Sequence, residues 1–540
     1  MTSMPLPSFR TLWPAWLVLL LSAAAGASWW WAVGRPVSLP DAPTSRIACV
    51  SYAPFREPGE TPFDLKAVIS PERIDADLKT LSQRFDCIRT YSQSHGLDKV
   101  PEIAARYRMK VLMGIWLSRN AADNAREIDM GIATAKAHPE VLRGVVVGNE
   151  VLLRGELSPK ALMAYAHEVR AQIPDSVPIT YADVWEFWLR YPQMAKAVDF
   201  LTIHILPYWE DQPVPPEHAV RHVADVYRQV KEAFAGRQVM IGETGWPSAG
   251  RPRRDARASL VNEARYLREF LIYANSVDMP YNVIETFDQP WKRAQEGTVG
   301  GYWGIYDVHA QPKFAMKGPV VEEAHWYRGM YAGAAGALLF ALVVAWRRAW
   351  RGAGGWLASL LAGFAAGTAL AWQYRQMIYA CRDVLEWTIS GTACVLALVT
   401  ALMLARRIVA RLTGSVSPNG WRLRWWRAGW MFVLALLGLL LVFDGRYRDF
   451  PLGLFALPCV GYALLGWLDR RHRVAMPLIE ERFLAFWLPS LAAVVVAQEL
   501  GLNPSTWLWL LLNLAIAAPV LIGWYLAARL QSDQAQAAYQ

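Results

Sequence analysis

The chain has 540 residues, is 54% hydrophobic, and carries 55 Lys+Arg against 46 Asp+Glu for a formal net charge of +9. That is too long for one ordinary domain and too apolar for a wholly soluble protein. The charge does not indicate nucleic acid. The arginines crowd short loops between apolar segments, in RRAWRG (347–352), RRIVARLTGSVSPNGWRLRWWR (406–427) and DRRHR (469–473), which is the positive-inside pattern of membrane proteins.

In chain order, the first element is an apolar stretch at 12–33, long enough to cross a bilayer. The small residues AGAS at 25–28 suit a cleaved signal peptide, whereas WWW at 29–31 suits an interfacial belt on an uncleaved anchor. Residues 1–33 are therefore read as an N-terminal membrane anchor or signal, with the anchor favoured.

Residues 34–326 read as a globular domain. Short apolar, β-branched runs recur along it: RIACVSYAPF (46–55), CIRTYS (87–92), KVLMGIW (110–116), VLRGVVVGNE (141–150), PITYADVW (178–185), DFLTIHILPY (199–208), QVMIGETGWP (238–247) and YNVIETFDQP (281–290). Amphipathic stretches lie between most of them, including one after Ser70-Pro71 and one after Ser158-Pro159, each an N-cap followed by proline at the first helical position. Eight strands alternating with helices predict a (β/α)8 barrel. An open doubly wound sheet is the alternative, weakened because no Gly-rich phosphate loop follows the first strand.

From 327 the apolar segments resume. Spans are expected at 327–346, 355–373, 387–405, 426–443, 450–468, 483–499 and 506–527, giving an all-α seven-span transmembrane domain over 327–530 and a cytoplasmic tail at 531–540. With the N-terminus inside, every Arg-rich loop falls in the cytoplasm and the barrel is exported. The longest cytoplasmic loop, about 406–427, has no room for a nucleotide-sugar synthase. Five cysteines show no metal-ligand spacing. Cys49 and Cys87 fall on adjacent strands, where an oxidising compartment would allow a disulfide; two buried free thiols are the favoured reading.

In such a barrel the active site sits at the C-terminal ends of the strands. Those ends carry Arg89 and Tyr91, Trp116, Asn149 and Glu150, Asp183 and Trp185, His204 and Tyr208, Glu243, Glu285 and Asp288. Glu150 closes the fourth strand and Glu243 the seventh, where they can face each other over a sugar-sized cleft. Two carboxyl groups so placed are what glycosidic bond cleavage needs.

The motifs VVVGNE and IGETGWPSAG, with the weaker segments IRTYS, HILPYW, ETFDQPWK and GYWGIYD (301–307), resemble glycoside hydrolase family 17, the β-1,3-glucanases and related β-glucan transglycosylases. The match covers about 46–315. The resemblance implies a retaining mechanism with Glu243 as an ionised nucleophile and Glu150 as a protonated acid/base. Asn149 is placed to hold the sugar 2-hydroxyl; Arg89, Tyr91, Tyr208, Glu285 and Trp303 are further substrate-binding candidates. Tyr208 or Tyr91 is expected to hydrogen-bond Glu243, and Trp303, Trp291 and Trp185 to offer stacking faces. Glu285, Asp288 and Lys292 resemble a family cluster near the site. No cofactor or metal is expected. The expected partners are a β-glucan oligo- or polysaccharide, the lipid bilayer and glucan synthesis or export machinery. The expected location is a bacterial inner membrane, with the barrel in the periplasm. Hydrolysis and transglycosylation stay open. So do a non-catalytic glucan-binding subunit and a transporter with an accessory barrel.

Overall fold

The computed structural model describes residues 9–346, 350–415, 421–470 and 476–539. Parts of each Arg-rich loop, at 347–349, 416–420 and 471–475, lie outside the described residues. The chain divides into two compact units. One comprises Val37–Gly250 and Asp255–Val320; the other comprises the remaining segments, Met1–Pro36, Arg251–Arg254 and Val321–Gln540.

The first unit is a parallel sheet curled into a barrel. Its strands are β1 (Val50–Ser51), β2 (Cys87–Arg89), β3 (Lys110–Ile115), β4 (Leu142–Asn149), β5 (Ile179–Val184), β6 (Leu201–His204) and β7 (Val239–Glu243), hydrogen-bonded in that order. The eighth run, expected as a full strand, forms single parallel bridges instead: Tyr281 to Ile241 and Val283 to Val50. Its backbone still closes the ring. Asn282 N donates to Ile241 O and Ile284 N to Thr244 O on one side; Val283 N donates to Cys49 O and Thr286 N to Ser51 O on the other. The ladder is irregular because Pro280 brings no N–H and Glu285 adopts a left-handed φ of 65°.

The helices form where the capping signals sit. Ser70 Oγ accepts from Arg73 N at the start of Pro71–Leu81, and Ser158 Oγ from Ala161 N at the start of Pro159–Arg170. Each such cap contributes about 1 kcal/mol. Pro71–Leu81 buries Ile74, Leu78 and Leu81 against the sheet, each full burial favouring the fold by about 1.5–3 kcal/mol. Inside the barrel Leu112, Val146, Ala182 and Met240 pack with Cys49 and Cys87. Those two cysteines are joined in a disulfide, Cα–Cα 4.3 Å, contrary to the expected free thiols. The register explains it: Val50 pairs with Ile88, so Cys49 lies opposite Cys87 on the neighbouring strand.

Among the described residues of the second unit, eight helices run over Phe9–Val33, Tyr327–Trp346, Ala353–Ala380, Val384–Leu412, Trp421–Phe443, Leu452–Asp469, Ile479–Gln498 and Pro504–Tyr539. Seven of them are long and apolar enough to cross a membrane by length and composition. The exception is Ile479–Gln498, whose first turn carries Glu480, Glu481 and Arg482. Tyr327–Trp346 and Ala353–Ala380 meet backbone to backbone, since a Cβ on Gly336 would lie 2.2 Å from Gly363 O; close approach of this kind packs helices where apolar burial offers no drive.

Candidate active site

The ends of β4, β6 and β7 converge. His204 and Glu243 are partners in the β6–β7 register. Glu150 follows β4 in a left-handed conformation, φ 52°, just after Gly148 at φ 86°. A non-glycine residue there is uncommon, and such positions concentrate at functional sites. The turn is bolted to β5: Glu150 N donates to Ala182 O at 2.8 Å, Leu152 N to the Tyr181 hydroxyl at 3.0 Å, and Leu153 N to Asp183 Oδ2 at 3.3 Å. Asp183 is fully buried. Burial pushes its carboxyl up to about 6, the Tyr181 hydrogen bond opposes this, and the charge of Glu150 adds to it.

Glu243 is buried, and its Oε1 accepts from Arg89 Nη1 at 2.9 Å. Arg89, at the end of β2, also donates through Nη1 to Gly242 O at 2.9 Å and through Nη2 to Asn149 Oδ1 at 2.5 Å. One guanidinium therefore fixes both the Glu243 carboxylate and the Asn149 amide. Because Oδ1 is occupied by Arg89, the Asn149 NH₂ is the group left to meet a ligand. Buried ion pairs of this kind are costly to break, by about 3–5 kcal/mol when one partner is removed.

His204 joins the two acids. Its Nδ1 lies 3.0 Å from Glu150 Oε1, and its Nε2 lies 3.7 Å from Glu243 Oε1 with no hydrogen bond of its own. Burial raises the proton affinity of Glu150, but the hydrogen bond and charge of His204, with Arg154 and Arg89 behind them, outweigh it and leave the carboxyl lowered. The neighbour of the expected acid is therefore an imidazole as well as the opposing carboxylate.

Ligand-capable atoms of Glu150, His204 and Glu243 all lie within 4.8 Å of one another. A divalent cation could bridge that spacing. However, Nδ1 is engaged with Glu150 at 3.0 Å, and a neutral imidazole has a single nitrogen lone pair to offer an ion. Arg89 adds a positive charge beside Glu243. The donor set suits proton transfer better than metal binding.

The other candidates fall around this core. The Arg89 guanidinium stacks 4.8 Å over the Tyr91 ring, and burial followed by the charge of Glu243 holds that phenol well above its ordinary value. Tyr208 is buried edge-on against Trp209, Trp246 and Trp303. Trp303, expected as a stacking platform, is only 3% exposed; its ring lies against Trp209, and its Nε1 has no hydrogen bond. Trp185 donates to Glu210 Oε1 at 3.3 Å.

The expected cluster of Glu285, Asp288 and Lys292 divides in two. Lys292 Nζ pairs with the fully buried Glu285, whose carboxyl is raised by burial against the pull of Lys292 and further by Glu243. Asp288 turns the other way and pairs with Lys313 Nζ at 2.9 Å, which also meets Glu263 at 3.1 Å and the Ser248 hydroxyl at 2.7 Å. Glu296, which sequence reading missed, faces the first group. Burial raises it to about 7 against Lys292, with Glu285, Glu150 and Glu243 adding to the rise. His204 was visible only as one polar strand end among several; its place between the acids needed the register of three strands.

Part of the chain is similar to known proteins. Residues 49–304 match the sequence profile of the BtgE/BtgC glycoside hydrolase domain. A glucan 1,3-beta-glucosidase of Arthroderma benhamiae is 27% identical over 262 residues, 44% of this chain and 82% of the relative. One of Schizosaccharomyces pombe is 25% identical over 243 residues, 42% of this chain and 75% of the relative. Among solved structures, an active-site mutant of Rhizomucor miehei beta-1,3-glucanosyltransferase in complex with laminaritriose aligns with TM-score 0.45 at 23% identity, over 52% of this chain and 98% of that one. The matched stretch, 49–304, falls on the barrel and covers less than half of the chain.

Proposed function

We propose that this chain is a membrane-embedded, retaining β-glucan glycosidase or glucanosyltransferase, acting on β-1,3-linked glucan with Glu243 as nucleophile and Glu150 as acid/base. The observation that carries it is the approach of the two carboxylates, with oxygens within 4.8 Å across the barrel mouth. Retaining enzymes hold the two groups about 5–5.5 Å apart, whereas inverting ones leave about 6.5–9.5 Å for a water. The names of the relatives supply the substrate class. A glucan-binding module has no need of two opposed acids.

In the first step a lone pair on Glu243 forms a bond to the anomeric carbon as the bond to the leaving oxygen breaks. A proton passes from Glu150 to that oxygen. Arg89 keeps the Glu243 carboxylate aimed, and the Asn149 amide meets the 2-hydroxyl, a contact that strengthens as charge develops. His204 Nδ1, 3.0 Å from Glu150 Oε1, holds that carboxyl in place, and the proton resides on Glu150 when it is delivered. Expulsion of water by the sugar favours this, since the neutral carboxyl needs less hydration than the charged one. In the second step the proton returns. The Glu150–His204 pair deprotonates an incoming hydroxyl, which attacks the anomeric carbon and releases Glu243. Water as acceptor gives hydrolysis; a glucan hydroxyl gives a longer or branched chain.

The test is to trap the ester. Full-length chain in detergent is treated with a 2-fluoro laminaribioside bearing a good leaving group, then digested and analysed by mass spectrometry. The glycosyl mass is expected on the peptide containing Glu243; a label on Glu285 would overturn the assignment. Sizing the products made from laminari-oligosaccharides separates hydrolase from transferase.

The same reading places the barrel in the periplasm of a bacterial cell and the Arg-rich loops in the cytoplasm, with the glucan synthesis or export machinery as its setting. Seven long apolar helices and the Cys49–Cys87 disulfide support it. A cysteine introduced at position 415 should resist membrane-impermeant reagents in intact cells, and its labelling would reverse the topology.

A further inference from the structure

The first βα loop of the barrel presents large apolar side chains to solvent. Phe63 is 64% exposed, Leu65 91% and Val68 73%. The loop leaves the C-terminal end of β1 and leads into the helix Pro71–Leu81, so it stands on the same face of the barrel as Glu150 and Glu243. It is not a frayed segment. Arg73 donates to Glu60 at 2.5 Å and to Pro54 O at 2.6 Å, and Arg56 makes two bonds to Asp77. Ile69 N donates to His95 O, and His95 Nδ1 lies 2.8 Å from Ala67 O. A pinned loop that holds apolar groups in water, next to a catalytic cleft, marks a binding surface.

Its neighbour identifies what binds. Phe63 meets Trp291 edge to face, centroids 5.5 Å apart and planes at 87°. The Trp291 indole is half-buried, and its N–H donates to Gln289 Oε1 at 2.7 Å; Gln289 in turn donates through Nε2 to Ala53 O, at the start of the same loop. The next residue, Lys292, reaches in to Glu285, which senses the charge of Glu243. The exposed aromatic edge is thus tied through Gln289 to the start of the β1 loop, and the residue after Trp291 reaches the buried Glu285.

We propose that Phe63 and Trp291 form an aromatic ledge that binds a glucose unit of the donor chain beyond the one joined to Glu243, by stacking against the apolar C–H face of the sugar. This rests on the glucan-active reading above and deepens it. Two L-shaped rings make a corner that takes a flat, mostly apolar face, while the sugar hydroxyls stay in water. The ledge sits where β1 meets the closing segment 280–286, beside β7 and across the ring from Glu150. Glu150 protonates the departing portion, so a unit on the ledge belongs to the portion retained on Glu243.

The test uses the full chain in detergent and laminari-oligosaccharides from laminaribiose to laminarihexaose. In the unaltered chain kcat/KM should rise with length. Phe63→Ala should flatten that rise, with a loss of about tenfold on the longest substrate and the least loss on the shortest. Trp291→Ala should do the same, and melting temperatures should be retained. Equal losses at every length would mean a structural role, and an undiminished rise with length in both variants would give the ledge to another occupant such as a lipid surface; either overturns the proposal. Calorimetric binding of laminarihexaose to the Glu243→Ala chain keeps the test apart from turnover. Adding Phe63→Ala should weaken that binding, and unchanged affinity would overturn the ledge. Ledge-dependent binding in a chain that turns over no glucan would sink only the catalytic reading.

Discussion

The two units bury charge in opposite ways. In the helical unit charges are matched locally: Arg427 with Glu481, Arg407 and Arg411 with Asp469, and Arg375 with Glu322 and Glu323. In the barrel, Glu150, Glu243, Glu285 and Glu296 crowd one end around two arginines, Arg89 and Arg154, one lysine and one histidine. Groups there remain incomplete, with no hydrogen bond to His204 Nε2 or to Glu285 Oε1. Local pairing minimises the cost of burying charge and does little else. Convergence of like charges raises that cost, and it persists where chemistry needs shifted proton affinities.

The strongest way to break this comparison is to remove a charge from each unit and measure turnover. Glu243→Ala should lower kcat by roughly 10⁴-fold or more, as loss of a covalent nucleophile does. Azide should restore activity and yield the α-glycosyl azide, because it attacks from the cavity the carboxylate leaves. Asp469→Asn in the helical unit should leave kcat unchanged; a loss as deep as that of Glu243→Ala would erase the distinction. Next in size is Glu150→Gln, expected to cost about 10²–10⁴-fold on natural glucan. An activated aryl glycoside needs little protonation and should suffer less in the glycosylation step. Equal losses on both substrates would argue against proton delivery by Glu150.

A smaller effect sharpens the role of the histidine. His204 is the main influence lowering Glu150, so His204→Asn removes it while burial, which raises the carboxyl, remains. The acid should then keep its proton to higher pH, and the basic limb of kcat/KM should move upward; a downward shift would refute His204 as the cause of the lowering. The smallest effect tests burial alone. Glu263 is raised to about 8 from an ordinary 4.5, with burial the largest cause and Lys313 opposing it. The folded state binds the extra proton, so stability should fall as pH rises from about 4.5 through 8. Glu263→Gln should flatten that part of the melting profile, and an unchanged slope would remove Glu263 as its source.

Much of the barrel was legible because strand ends carry their own signals. Glu150 and Glu243 each close an apolar β-branched run within a distinctive motif, and the two N-caps at Ser70 and Ser158 announce their helices. What was not legible depends on register. His204 reaches both acids only because the β6–β7 pairing slips between Ile203 and His204. The disulfide needs Cys49 level with Cys87, which pattern alone cannot place. The eighth strand reads as regular in YNVIETFDQP, yet the left-handed Glu285 interrupts it. That same turn sends Asp288 to Lys313 and leaves Glu285 with Lys292, so three residues close in sequence serve two clusters.

The Cys49–Cys87 bond has a consequence for making the protein. It closes a loop of 38 residues, which by chain entropy disfavours the unfolded barrel by about 4 kcal/mol. That is a sizeable part of the roughly 5–15 kcal/mol that keeps a domain folded. β1 contributes only two residues to the sheet and adjoins the irregular closing segment, so the covalent tie falls on the most weakly paired part of the ring. A preparation recovered from a reducing host, or purified under thiol, starts without that tie. Its shortfall in yield or activity would then reflect the redox history of the sample, and gentle reoxidation before assay should recover it.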